Sequence, residues 1–337
     1  MIKIDLITGF LGAGKTTFIE KYARYLMETG QKIAILENDF GAVNVDMLLL
    51  QDIVGENCEL EMIVGGCDKD CHYRRMKTKL ISMGMRGFDR ILVEPSGIFD
   101  VDEFFDILHD EPLDQWYEIG NVMAVVNAGM EEDLSRESRY LLVSQIANAG
   151  KIILSKTQET PPEKIAETVR YLNKAMEEFH CRRRFQEYAV CERELIPGLH
   201  SVACGKEGEK ADLLCKDWAK LTSQDYEELL YCGYVSESYE KLWFEQKEAF
   251  DSLYFMNLHM SEAALYQAAE RIMKDVECGR VFRIKGFVQT DKNQWVELNA
   301  TQENIVIRPI RTGQEVLIVI GEHLNEKVIR TYWEMER

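Results

Sequence analysis

Residues 2–17 read IKIDLITGFLGAGKTT, and this stretch decides the fold. Ile2–Thr8 is a short run of β-branched and apolar residues, which is typical of a buried strand. Gly9–Thr16 then matches the pattern GxxxxGK[ST] at every fixed position. Thr16–Glu28 is amphipathic and ends shortly before Gly30, as a helix would. A Gly-rich turn between a strand and a helix predicts a loop whose backbone N–H groups bind phosphate.

The residues of this loop have distinct expected roles. Glycines at positions 9, 12 and 14 allow backbone conformations, and a close approach of ligand to backbone, that a side chain would block. The Lys15 ammonium is expected to contact the β- and γ-phosphates, and the Thr16 hydroxyl to ligate Mg²⁺. The predicted nucleotide-binding residues of the loop are Gly9, Gly12, Ala13, Gly14, Lys15, Thr16 and Thr17.

Strand and helix patterns alternate through the first half of the chain. Further buried strands are predicted at Lys32–Leu36, Asp89–Val93, Asn121–Val126 and Lys151–Leu154. Between them, amphipathic patterns predict helices at Asp100–His109 and Pro162–Phe179. Strands that alternate with helices indicate βαβ units and a mainly parallel sheet. The predicted fold class is therefore α/β, with a P-loop NTPase domain.

The pattern changes after about residue 200. A predicted helix at Ser261–Val276 is followed by apolar runs that indicate an antiparallel meander, with turns at 291–293 and 312–313. The tail, Asn325–Met335, is predicted to be helical. These features predict a small C-terminal α+β domain. The expected organisation is a nucleotide-binding domain at 1–220, a linker at about 221–240 and the second domain at 241–337.

Acidic residues follow two of the predicted strands. Glu37 and Asp39 follow the second strand, and Glu94 follows the third. Because ligands of open parallel sheets bind beyond the carboxyl ends of the strands, we expect these carboxylates near the phosphates. The predicted Mg²⁺ ligands are Thr16, Asp39 and Glu94, and the predicted catalytic residues are Lys15, Asp39 and Glu94. No arginine stands out as a charge-stabilising finger, so the sequence predicts slow intrinsic turnover.

The base end of the nucleotide is expected at Ser155-Lys156-Thr157-Gln158, which follows the strand at Lys151–Leu154. Guanine-specific P-loop proteins usually carry N/T-K-x-D here, and the aspartate accepts hydrogen bonds from guanine N1 and N2. Gln158 is uncharged, and a neutral acceptor is weaker than a carboxylate. The predicted base-contacting residues are Ser155, Lys156 and Gln158. GTP is the expected nucleotide, and ATP stays open.

Residues 66–72, GCDKDCH, contain three side chains that often bind metals: Cys67, Cys71 and His72. Thiolates and an imidazole suit Zn²⁺ first and also Co²⁺ or Ni²⁺. Glu37, Asp70 or a partner chain would supply the fourth ligand. The alternative is that the cysteines are small residues in a Gly-rich turn before a helix at Arg74–Met83.

The composition excludes several classes of partner. The net charge of −18 and pI of about 4.9 argue against a nucleic-acid partner, whose phosphates require a basic surface. No apolar run reaches the length that crosses a bilayer, so no membrane association is expected. The chain opens on a strand pattern without a signal-peptide pattern, and its nine cysteines are scattered. We therefore expect a cytoplasmic protein with reduced thiols.

The order of the motifs resembles that of the CobW-type P-loop GTPases, which are relatives of the nickel-insertion GTPases of urease and hydrogenase maturation. The matching stretches are GFLGAGKTT (9–17), ENDFGAVNVD (37–46), VGGCDKDC (64–71), ILVEPSG (91–97) and ILSKTQ (153–158). Residues 279–288 and 316–329 also resemble the family's C-terminal domain. This resemblance implies a GTP-hydrolysing metallochaperone that delivers a transition metal to a client protein, and it leaves a homodimer open.

The resemblance also implies that residues 37–46 form a switch-like segment near the γ-phosphate and that the cysteine motif binds metal. The family's motif is usually G-C-x-C-C, whereas this chain has one more residue and one fewer cysteine, with His72 as the replacement ligand. Gln158 replaces the family's guanine-reading aspartate, and a His-rich stretch is missing from a chain with six histidines. Two alternatives stay open: a nucleotide-dependent activator of a cobalamin enzyme, and a P-loop small-molecule kinase with Cys181–Arg184 as a lid.

Overall fold

The computed structural model of the chain describes residues 1–39, 50–64, 69–186, 212–244, 249–290, 294–310, 313 and 315–335. The described residues form two compact units. Those up to Leu242 form the first unit, and those from Trp243 onwards form the second. The range 221–240, expected as a linker, contributes a helix to the first unit.

A parallel sheet of seven strands is the centre of the first unit. The strands are β1 (Ile2–Thr8), β2 (Ile33–Asp39), β3 (Cys58–Val64), β4 (Arg90–Pro95), β5 (Tyr117–Asn127), β6 (Lys151–Ser155) and β7 (Leu213–Cys215). Their spatial order is β3-β2-β4-β1-β5-β6-β7, and every neighbouring pair is parallel. The prediction of a mainly parallel sheet is confirmed. The sequence analysis missed β3 and β7, which are the two outermost strands.

Helices of the first unit connect the strands. They are α1 (Lys15–Glu28), α2 (Lys69–Gly84), α3 (Asp102–His109), α4 (Leu113–Trp116), α5 (Arg136–Ala147), α6 (Pro162–Glu178) and α7 (Ser223–Leu230). In α1 the buried side chains recur at helical spacing, at Phe18, Ile19, Tyr22, Ala23 and Leu26. All six residues of β4 are buried. Such continuous burial is expected of strands that are covered on both faces of the sheet.

A buried ion pair crosses the centre of this sheet. Asp5 on β1 is fully buried, and Nη1 of Arg90 on β4 donates to both of its carboxylate oxygens at 2.6 Å. The carboxylate also accepts from the Tyr22 hydroxyl at 3.1 Å and from the backbone N–H of Asn121 at 2.9 Å. A Cβ atom at Gly120 would lie 2.3 Å from Asp5 Oδ1, so only glycine leaves room for the carboxylate there.

The second unit is an antiparallel sheet of five strands packed with two helices. Its elements are β8 (Asp251–Met256), α8 (Glu262–Lys274), β9 (Arg280–Gln289), β10 (Trp295–Thr301), β11 (Ile305–Ile310), β12 (Val316–Glu322) and α9 (Glu326–Met335). The strand order is β11-β10-β9-β12-β8. The buried core joins Leu265 and Ile272 of α8 and Trp333 of α9 to the sheet.

The predicted C-terminal α+β domain is confirmed in its architecture. The Ser261 side chain accepts from the Ala264 N–H and caps α8, which begins where the sequence predicts. The strand β8 was not predicted. The predicted turn at 291–293 and residue 312 of the other turn lie outside the described residues.

No helix within the described ranges is both long and apolar enough to span a membrane.

Replacing Arg90 with Met is expected to lower the free energy of unfolding by about 3–5 kcal/mol, because Asp5 would be left as a buried charge without its cation. Urea unfolding measures this loss. The control is Arg24→Met, which removes an exposed ion pair with Glu20 and should cost at most about 1 kcal/mol. The double variant Asp5→Asn/Arg90→Met should lose less than Arg90→Met alone. Equal, small losses in Arg90→Met and Arg24→Met would contradict a structural role of the buried pair.

Candidate nucleotide-binding site

The Gly-rich loop between β1 and α1 has the backbone that its glycines predict. Gly9, Gly12 and Gly14 have φ angles of 148°, 72° and 97°, a region that residues with side chains rarely adopt. At Gly9 a Cβ atom would lie 2.2 Å from the carbonyl oxygen of Val125 on β5. Gly14 is the N-cap residue of α1 and offers no side chain to its first N–H groups. These N–H groups can therefore bind an anion.

Lys15 is buried, and its Nζ donates to the carbonyl oxygen of Gly9 at 3.0 Å. The ammonium group thus lies across the loop, with the positive end of α1 beside it. A buried ammonium group beside a helix N-terminus makes the loop positive, so this position favours a negatively charged ligand.

Two carboxylates lie next to the loop on neighbouring strands. The Thr16 hydroxyl donates to Glu94 Oε1 at 2.8 Å. Glu37 on β2 lies level with Glu94 on β4, and both side chains are buried. The hydroxyl and carboxylate oxygens are hard ligands of the kind that Mg²⁺ prefers. Thr16 and Glu94 therefore have the chemistry that would suit a magnesium ion, and their role as its ligands stays a prediction. The Asp39 side chain lies outside the described residues.

A close approach that the sequence analysis missed joins the loop after β4 to the Gly-rich loop. A Cβ atom at Gly97 would lie 2.7 Å from the backbone nitrogen of Leu11. The buried Gln145 side chain donates to the Gly97 carbonyl at 3.0 Å and holds this loop from the side of α5. The glycine in the stretch ILVEPSG is the local sequence signal for such an approach.

In the loop after β6, where the base of the nucleotide is expected, Ser155 is buried and Lys156 has a φ angle of 55°. The Gln158 side chain is exposed, and its amide donates to Glu159 Oε1 at 3.3 Å. An unpredicted residue, Trp218, lies beside this loop. Its indole N–H donates to the carbonyl oxygen of Leu154 at 3.0 Å.

The cysteine motif is only partly described. Cys67 and the side chain of Asp70 lie outside the described residues, and Cys71 is half-buried. His72 is fully buried, and its Nε2 lies 2.5 Å from Asn38 Oδ1 on β2. Among the described residues, no group of three or more His, Cys, Asp or Glu side chains is arranged to hold a metal ion. The ligand set Cys67, Cys71, His72 and Glu37 therefore stays a prediction.

The burial of His72 follows from its spacing along the helix. His72, Met76, Leu80 and Met83 are all buried, and their spacing places them on one face of α2. Burial, and secondarily the nearby Arg75, lowers the pKa of His72 from 6.5 to about 4. His72 is thus neutral at physiological pH, and its bond to Asn38 joins α2 to β2.

The buried position of Arg183 contradicts the alternative in which Cys181–Arg184 forms a lid. Its side chain is buried, and Nη1 donates to the carbonyl oxygens of Ile146 and Ala147, each at 3.0 Å. These are among the last carbonyls of α5, which a cation satisfies well. Arg183 is a structural cap and is not available to close over a substrate.

The parallel sheet, the phosphate-binding loop, and the Thr16–Glu94 pair define a P-loop nucleotide-binding protein. The CobW/HypB/UreG nucleotide-binding domain matches residues 3–183, which is more than half of the chain. The C-terminal domain of the cobalamin synthesis protein CobW matches residues 244–335. The chain therefore belongs to the CobW/HypB/UreG family.

Two curated relatives are zinc chaperones of Escherichia coli strain K12. YeiR is 31% identical over 164 residues, which are 48% of this chain and 49% of YeiR. YjiA is 31% identical over 185 residues, which are 51% of this chain and 55% of YjiA. The chain thus spans about half the length of the curated relatives it matches.

The crystal structure of zinc-bound YjiA GTPase from E. coli covers 100% of this chain and 99% of its own, with 19% identity and a TM-score of 0.32. A likeness this weak supports no statement about function.

Replacing Gly9 with Ala is expected to displace the loop, because the new methyl group would clash with the Val125 carbonyl. The affinity for a nucleoside diphosphate, measured by calorimetry, should fall by at least about tenfold, or about 1.4 kcal/mol. Gly30→Ala is the matched control: Gly30 also has a positive φ, 85°, but nothing lies within 4 Å of the added Cβ. An unchanged affinity in Gly9→Ala would contradict the binding role of this loop.

The pKa of His72 is open to direct measurement by NMR titration of its ring protons in the metal-free protein, with His72→Gln to assign the signal. A value near 4 is expected, since burial disfavours the imidazolium. The unfolded chain then takes up this proton first. The contribution of His72 to stability is therefore complete above pH 6.5 and is lost as the pH falls towards 4. A titration midpoint at the ordinary value of 6.5 would contradict the buried position.

Proposed function

We propose that the protein hydrolyses a nucleoside triphosphate, with GTP as the first choice, and couples the nucleotide state to binding a transition metal and delivering it to a client protein. Zn²⁺ is the first candidate for the metal, followed by Co²⁺ and Ni²⁺. The order of four elements along one sheet edge carries this proposal. The Gly-rich loop follows β1, Glu94 and Glu37 lie near the ends of β4 and β2, and Cys67 follows β3 in the sequence. These strands are consecutive neighbours in the sheet.

In the proposed reaction a water molecule attacks the γ-phosphate. Lys15 would leave the Gly9 carbonyl and contact phosphate oxygens, where its charge stabilises the transition state. Thr16 and Glu94 would hold Mg²⁺, which when bound neutralises phosphate charge. Asp39 is proposed to position the water. We expect slow turnover by the isolated chain, because no arginine in the sequence stands out as a charge-stabilising finger.

The link between nucleotide and metal is proposed to run through β2. Glu37 faces the nucleotide side of this strand, beside Glu94, whereas the next residue, Asn38, bonds to His72 on α2. The helix α2 begins at Lys69 and therefore contains Cys71 and His72 of the cysteine motif. A shift of the end of β2 on loss of the γ-phosphate would thus reach α2. Such coupling is reciprocal, so bound metal must change nucleotide affinity by the same factor.

The curated relatives named zinc chaperones support metal as the cargo and a protein as its recipient. The second unit is proposed to help select that client. A homodimer is the assembly that we would test first, because it would offer a partner chain's residue as the missing fourth ligand.

The proposal predicts that nucleotide state changes metal affinity. Zn²⁺ binding to the reduced protein should be measured by competition with a chromophoric chelator, in the nucleotide-free form, with Mg²⁺ and GDP, and with Mg²⁺ and a non-hydrolysable GTP analogue. We expect at least about a tenfold difference between the two nucleotide states, or about 1.4 kcal/mol of coupling. Equal affinity in all three states would contradict the proposal.

Matched variants separate the two sites. Cys67→Ser/Cys71→Ser should abolish Zn²⁺ binding, whereas Cys232→Ser removes a half-buried thiol elsewhere and should not. Lys15→Ala should leave the metal affinity intact and abolish its response to nucleotide. Phosphate release that requires a small acceptor molecule would indicate a kinase instead. Full activity of the double cysteine variant towards a cobalamin enzyme would indicate an activator that holds no metal.

A further inference from the structure

At the predicted base end of the nucleotide site, position 158 holds a glutamine where guanine-specific P-loop proteins usually have an aspartate. Gln158 is uncharged, exposed and hydrogen-bonded to its neighbour Glu159. The turn at residues 156–160 is closed by a hydrogen bond from the Thr160 hydroxyl to the Lys156 carbonyl, at 2.9 Å. The Gln158 amide is therefore bonded to its neighbour on the same loop, and a charged acceptor for the base would have to come from another residue.

The next strand brings a second loop to the same place. β7 runs parallel to β6, with Cys215 level with Leu154. The chain therefore leaves β7 at Lys216 and Asp217 beside the point where it leaves β6 at Ser155. Trp218 fixes this arrangement through its bond to the Leu154 carbonyl.

Trp218 also lies against the phosphate-binding loop. A Cβ atom at Gly14 would be 3.4 Å from the Trp218 ring and 3.7 Å from Ser155 Cβ. The edge of the indole contacts Phe18 of α1, with 5.5 Å between ring centroids. The loop after β7, the loop after β6 and the start of α1 thus meet at one point. A nucleotide whose phosphates bind at Gly9–Thr16 has its base near this junction.

Asp217 lies in the loop after β7, where a hydrogen bond to the backbone holds its side chain. Its Oδ1 accepts from the Ala219 N–H at 2.9 Å and caps a single 3₁₀ turn at Trp218–Lys220. Its other oxygen, Oδ2, lies 3.7 Å from Nζ of Lys220, whose side chain is 76% exposed.

The neighbouring Lys216 does not neutralise this carboxylate. Its Nζ lies 2.5 Å from Asp225, which also accepts from the Thr222 hydroxyl in the capping box of α7. The Asp217 carboxylate therefore keeps a weakly held oxygen for a ligand.

We propose that Asp217 reads the base of the bound nucleotide in place of Gln158 and selects guanine; this inference rests on the proposed nucleotide function. Guanine offers N1–H and the N2 amino group side by side, and a carboxylate accepts from both with charge-assisted bonds. Adenine has no hydrogen on N1 and cannot form this pair of bonds. Asp217 is thus a specificity-determining residue on a loop that the usual motif does not include.

The test uses Asp217→Asn in the full chain, because asparagine caps a helical turn as well as aspartate does. Its oxygen can still accept from Ala219, but the amide now offers a donor. Guanine meets that donor with its own N2 amino group, whereas xanthine presents a carbonyl at the same position. Calorimetry with Mg²⁺ and GDP, XDP or ADP should show GDP affinity falling and XDP affinity rising, each by at least about tenfold.

Two further variants complete the test. Glu159→Gln makes the same charge change on the adjacent loop and should leave the GDP-to-XDP ratio unchanged. If Asp217→Asn does not fold, Asp217→Ser keeps a capping oxygen without the carboxylate and should lose GDP affinity. An unchanged ratio in Asp217→Asn, or a wild-type protein that prefers ADP, would overturn the assignment. A wild-type protein that binds none of the three diphosphates would overturn the proposed function itself.

Discussion

The Asp5 carboxylate has no access to solvent, although it carries a charge at the centre of the sheet. Four donors compensate for its lost hydration: the Arg90 guanidinium, the Tyr22 hydroxyl, and the backbone and side-chain N–H groups of Asn121. These donors lie on three different elements, β4, α1 and β5, so the full set of bonds to Asp5 can form only when all three are in place beside β1. A buried charge of this kind penalises alternative arrangements more than it stabilises the native one.

The same ion pair also helps to position the nucleotide site, because β1 and β4 both lead to it. Asp5 is the middle residue of β1, which leads into the phosphate-binding loop, and β4 begins at Arg90 and reaches Glu94 four residues later. The bond between Asp5 and Arg90 therefore helps to fix the register in which the Thr16 hydroxyl meets the Glu94 carboxylate.

The sequence predicted those parts of the site that depend on local patterns. The glycines and Lys15 of the loop follow from one motif between a strand and a helix, and Glu94 follows from its place after a buried strand. It did not predict Trp218, because β7 is only three residues long and far along the chain from β6. His72 was predicted only as a metal ligand, because it directly follows Cys71. Its place on the buried face of α2 follows instead from its helical spacing with Met76, Leu80 and Met83. Contacts between distant segments depend on packing, which no motif encodes.

The strand β3 lies at the margin of the sheet and pairs, among the described strands, with β2 alone. The phosphate-binding loop, by contrast, follows a strand that has neighbours on both sides. An extra residue after β3 changes a loop at the edge of the sheet, where variation in length is tolerated. An extra residue after β1 would change a loop at the centre of the sheet and displace the elements around it. The position of the cysteine motif therefore lets its spacing differ from the family's usual G-C-x-C-C while the nucleotide loop stays intact. In evolutionary terms, the residues of this motif can change without refolding the Gly-rich loop after β1.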